Sequence, residues 1–137
     1  MASVTADSNI WVSAFNFAGK PRRPIEMAES GFVRVDITDA IMDEVLRVLR
    51  LKFEWPDESL AEAKLQMTAI GHRVSTGEAL SVVEADEADN RILECAKTAG
   101  SEYVVTADKH LLQLDSFESI SIITVAQFLD RESSPIE

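Results

Sequence analysis

Short apolar runs alternate along this chain with longer segments of helical period, and that order restricts the fold more than any other feature. Ala2 to Ala6 is strand-like and leads through Asp7, Ser8 and Asn9, all good helix caps, into a short helix over Ile10 to Phe15. Pro24 suits the first turn of a helix stopped by Gly31, and Phe32 to Ile37 reads as a second strand. Thr38 can cap a helix over Asp39 to Phe53, and Pro56 opens another that Gly71 closes. A weak strand follows at His72 to Ser75. The rest predicts helix from Glu87 to Ala99, strand to Thr106, a short helix at Lys109 to Leu114, strand Ser119 to Thr124, and helix Val125 to Asp130. Strands joined through helices imply a mostly parallel sheet covered on both faces. The expected fold is therefore α/β, a three-layer α/β/α sandwich of about five strands. It forms one domain over residues 1–131, and 132–137 is expected to be a disordered tail.

With 46% hydrophobic and 27% charged residues, the chain has enough apolar material for a core and is far from the composition of disordered chains. Cys95 is the single cysteine, so no internal disulfide can form. No basic residue precedes the first apolar stretch, and no apolar run approaches the ~18 residues of a membrane span. A cytoplasmic protein with no membrane contact is expected. The net charge of -11 opposes any binding of nucleic acid by bulk electrostatics. A site that uses clustered acids to hold cations escapes that objection, because the bound ions reverse the local sign.

Acids at the carboxyl ends of strands are the first candidates for chemistry, since open α/β sheets bind ligands there. Asp7 and Asp108 follow the first and fourth predicted strands. Helical phase, at about 3.6 residues per turn, selects among the others. Ile41, Val45, Val48 and Leu49 form the apolar stripe of their helix, which puts Glu44 at its edge and Asp39 and Asp43 on the outer side. Asp89 flanks the stripe of Ala88, Ile92, Ala96 and Ala99, while Asp86 and Glu87 face outward. Carboxylates at the rim of an apolar face need a partner, and the sequence offers no obvious Lys or Arg for each. Four converging acids call for a metal. An oxygen ligand set favours Mg²⁺ or Mn²⁺ over zinc.

TADSNIWVSAF near the start, EADNRILECA, and YVVTADKHLL followed by SISIITVAQFL resemble the PIN-domain ribonucleases, more narrowly those of toxin-antitoxin pairs. The likeness spans nearly the whole domain. It implies a metal-dependent endoribonuclease in which Asp7, Glu44, Asp89 and Asp108 hold Mg²⁺ or Mn²⁺, with Asn9 and Thr106 supporting them. It also implies an RNA substrate, an antitoxin protein as partner, and a homodimer. This chain departs from the family pattern at Ala88, where another Asp commonly stands, so Asp86 is an alternative or auxiliary third ligand. Hydrolysis by attack of water at phosphorus needs no covalent intermediate.

The other chemistry-bearing residues have plainer readings. Ser8 and Ser13 lack a nearby histidine or a nucleophile elbow, Cys95 suits a packed thiol, and Trp11 and Trp55 suit packing at helix boundaries. Lys20, Arg22 and Arg23 fall in a loop expected near the crevice, where they would meet RNA phosphates or only solvent. Arg47, Arg50 and Lys52 suit a solvated helix face, and His110 follows Asp108 closely enough to approach a substrate. Two other functions compete. One is a different Mg²⁺-dependent phosphoryl-transfer domain, disfavoured because Asn9 and Ser75 stand where its acids belong. The other is a PIN-like binding or scaffold module without turnover.

Overall fold

A computed structural model of the chain describes residues 1–77 and 87–132. Its sheet has six strands: β1 (Ala2–Ala6), β2 (Val33–Ile37), β3 (His72–Arg73), β4 (Tyr103–Val105), β5 (Ser116–Phe117) and β6 (Ile120–Ile123). They lie in the order β3-β2-β1-β4-β6-β5. Every pairing is parallel except that of β5 with β6. The sixth strand departs from the five expected because β5 has only two residues, too few to carry an alternating pattern. Among the described residues seven helices flank this sheet: α1 (Ser8–Asn16), α2 (Arg23–Glu29), α3 (Asp39–Phe53), α4 (Asp57–Ile70), α5 (Glu87–Ala99), α6 (Lys109–Leu114) and α7 (Val125–Glu132). None is long and apolar enough to cross a membrane.

The central strands are buried on both faces, as a parallel sheet requires. Val4, Val35 and Ile37 are wholly enclosed on one face, while Ser3, Thr5, Arg34 and Asp36 alternate with them onto the other. Helix α3 forms where Thr38 Oγ1 accepts the Ile41 N–H at 3.2 Å. It buries Ile41, Met42, Val45 and Leu49, each fully buried aliphatic contributing about 1.5–3 kcal/mol. It ends at Glu54, whose φ of 56° lies in the left-handed region. Gly71 is needed for a different reason: a Cβ there would lie 2.6 Å from Ile37 Cγ2 and 2.8 Å from the Met67 carbonyl. The end of α4 can approach β2 only without a side chain.

The strand order places the site. From β1 the chain builds outward through β2 to β3, then crosses back to lay β4 on the other side of β1. The sense of winding reverses between β1 and β4. A crevice opens at such a switch point, beyond the carboxyl ends of the two strands.

Candidate metal centre

Asp7 leaves the carboxyl end of β1 and caps α1, its Oδ1 accepting the Asn9 N–H at 3.2 Å. The Asp7 N–H donates to the Val105 carbonyl at 3.0 Å, which ties the ends of β1 and β4 together. Thr106 then bridges two acids: its hydroxyl donates to Asp7 Oδ2 at 2.6 Å and accepts the Asp108 N–H at 2.9 Å. Asp108 caps α6, with Oδ1 accepting from the His110 N–H at 2.7 Å and the Leu111 N–H at 3.2 Å. These caps are local chemistry, set by Asp standing immediately before each helix. The geometry they produce is not local.

Asp89 lies in the first turn of α5 and is buried. It meets Asp108 and His110: one ligand atom from each of the three lies within 4.8 Å of the others. Asp7 stands outside this trio and is tied to Asp108 through Thr106. Two carboxylates and an imidazole within one ion's reach, beside a further buried carboxylate, suit a divalent cation that prefers oxygen and tolerates nitrogen. The donor set fits a metal.

Glu44 is half-buried at the edge of the α3 stripe, as its phase predicts, while Asp39 and Asp43 are exposed. The absence of a cation for each acid was an expectation that fails here, because Arg47 Nη2 sits 2.7 Å from Glu44 Oε1. An i,i+3 pair on one helix surface accounts for it. Glu44 is not among the three donors that approach one another. Asn9 supports Asp7 through its backbone N–H, and its side chain is exposed without a hydrogen bond among the described residues. Thr106 supports both acids with its side chain. Asp86 lies outside the described residues.

The basic cluster is placed otherwise than expected. Lys20–Arg22 forms a 3-10 turn beyond the far end of α1, roughly 13 Å of helix away from the Asp7 cap. Arg22 Nε donates to the Ala14 carbonyl at 3.1 Å and Arg23 faces Glu26 at 3.7 Å, so these side chains serve the loop's own structure. Cys95 is a packed thiol: burial pushes its pKa up to about 12 and the nearby Asp36 adds to the rise, against a lowering by the Thr5 hydroxyl. Trp11 is fully enclosed within α1, and Trp55 Nε1 donates to Asn16 Oδ1 at 3.1 Å.

His110, expected from its place after Asp108 to approach a substrate, also comes within reach of the acids, since the cap brings that residue back to the carboxylate. One feature escaped the sequence: Asp36, wholly buried on β2 among Arg34, His72 and Ser101. Arg34 and Asp36 alternate onto one face of an otherwise apolar strand, which is the pattern of an internal ion pair.

A family model described as a PIN domain matches residues 3–110 of the chain. No curated protein matches it. Among solved structures, the crystal structure of PAE2754 from Pyrobaculum aerophilum superposes with a TM-score of 0.64, covering 98% of this chain and 91% of that one. Sequence identity is 14%, so that likeness is one of fold.

Proposed function

The chain belongs to the PIN domain family, whose members are generally metal-dependent nucleases, and on that premise we propose that it is an Mg²⁺- or Mn²⁺-dependent endoribonuclease. The observation that carries this reading is the meeting of Asp89, Asp108 and His110 at the switch point, with Asp7 linked to them through Thr106. A divalent cation held there supplies the charge that makes water a better nucleophile and offsets charge on the phosphate oxygens. The residues do the positioning. Thr106 fixes the orientation of the Asp7 carboxylate, and the His110 and Leu111 N–H groups fix that of Asp108 through its Oδ1. The resemblance of the motifs assigns Glu44 to the same site, although here it is paired with Arg47. RNA as substrate, the role of toxin in a toxin-antitoxin pair, an antitoxin protein and a homodimer accompany this reading through the resemblance of the motifs.

The test is cleavage of single-stranded RNA by the purified chain with Mn²⁺ or Mg²⁺, before and after chelation. Asp7→Asn, Asp89→Asn and Asp108→Asn should each lower cleavage by at least about 100-fold while the protein stays folded. Without metal their melting temperatures should match or exceed the wild type, because crowded carboxylates repel. Asp43→Asn, on the exposed side of α3, should leave activity intact. Full activity in any of the three variants removes that residue from the site. Metal binding without cleavage of any RNA would turn the reading to a binding module, and loss of activity in Asp86→Asn but not Asp89→Asn would reassign the α5 ligand.

A further inference from the structure

The backbone of His110 is held in place by its neighbours on both sides. Its own N–H is bonded to Asp108 Oδ1 at 2.7 Å, and the next residue, Leu111, is fully buried in the core. With the cap fixed at one end and Leu111 anchored inward, the first turn of α6 holds the His110 backbone beside the Asp108 carboxylate. The His110 ring is nevertheless 44% exposed, so the position does not arise from packing of the ring itself. Its Nδ1 lies 3.9 Å from Asp108 Oδ1. That separation is too long for a hydrogen bond. It matches two ligands of one ion, since donors each about 2.1 Å from a shared centre lie roughly 3–4 Å apart. Asp89, buried on α5, completes the trio within 4.8 Å.

We propose that His110 is a nitrogen ligand of the metal centre and biases it towards Mn²⁺ over Mg²⁺. Imidazole is a good donor for first-row transition ions, whereas Mg²⁺ takes oxygen ligands and retains water. The inference rests on the metal-dependent reading given above and goes beyond it in naming a ligand type and an ion preference. His72 is the only other imidazole in the chain, and it is engaged at Asp36 through its Nδ1 at 3.0 Å. A nitrogen signal at the metal therefore has one candidate source.

The experiment uses the full chain freed of metal, titrated separately with Mn²⁺ and Mg²⁺ by calorimetry, with pulsed electron paramagnetic resonance on the Mn²⁺ form. Nitrogen hyperfine coupling to Mn²⁺ is expected in the wild type and its loss in His110→Ala. The same substitution should weaken Mn²⁺ binding by about 10–100-fold and leave Mg²⁺ binding within about 2-fold. Because His110 is surface-accessible, the variant should keep the wild-type circular dichroism spectrum. Mn²⁺ bound with no nitrogen coupling, or equal weakening of both ions, overturns this inference alone. A wild-type chain that binds neither ion overturns the metal reading together with it.

Discussion

Asp36 and Asp108 each accept several hydrogen bonds within the span of α5 and the sheet it covers, yet the donors differ in charge. Asp36 is fully buried and receives Arg34 Nε at 2.7 Å, the Ser101 hydroxyl at 2.6 Å, and contact from His72 Nδ1 at 3.0 Å. Arg34 also reaches the Ala99 carbonyl at 2.8 Å, closing the carboxyl end of α5 onto the sheet. The hydrogen bond to Asp36 raises the Arg34 pKa further above its already high value, with burial opposing. Asp108, near the opposite end of α5, is capped by neutral N–H groups, with the His110 imidazole 3.9 Å away. A buried acid is thus no pointer to a site by itself. What distinguishes the two is whether the chain supplies the countercharge.

The largest expected effect tests the closed cluster. Asp36→Ala leaves Arg34 and Ser101 without their acceptor and should cost about 3 kcal/mol, a fall of roughly 10 °C in melting temperature. Its Mn²⁺-induced stabilisation should survive, since bound ion adds stability by mass action at the other end of α5. A variant that melts normally but no longer responds to Mn²⁺ would invert the comparison.

Glu44 stands between the two cases, half-buried on α3 yet already paired with Arg47. Glu44→Gln should lower Mn²⁺-dependent cleavage by about 10-fold, less than the aspartate variants, and change stability by under ~1 kcal/mol. Arg47→Ala should not reduce cleavage. A loss equal to that at Asp89 would rank Glu44 with the aspartates, and wild-type cleavage would take it out of the site.

The smallest effect concerns the buried Cys95 thiol near Asp36. Cys95 has its folded pKa raised from 9.0 to about 12, so its contribution is fully present below pH 9 and is lost as pH rises towards 12. Between pH 8 and 10 the wild type should lose about 1 kcal/mol more stability than Cys95→Ala, measured by urea midpoints. Equal pH slopes would mean that this cluster accommodates a thiolate beside the carboxylate.

Much of the fold was legible because its signals are local. Thr38 with the α3 stripe gave Asp39–Phe53, and the capping Asp108 gave Lys109–Leu114. Asp7 and Asp108 were legible for the same reason, as capping residues at strand ends. Arg47 was not, since an exposed arginine on a helix has many directions open to it and its choice of Glu44 depends on rotamers. The two-residue strand β5 carried no period to read.

The sequence by itself determined the order of strands and helices, their caps, and which acids end strands, because those depend on bonds and periods spanning a few residues. Only the tertiary structure decided which carboxylates the chain pairs with its own cations and which it holds with neutral N–H and hydroxyl groups. Ser101 reaches Asp36 across 65 residues and Thr106 reaches Asp7 across 99. Electrostatic attraction and desolvation depend on distances through space, and the order β3-β2-β1-β4-β6-β5 sets those distances.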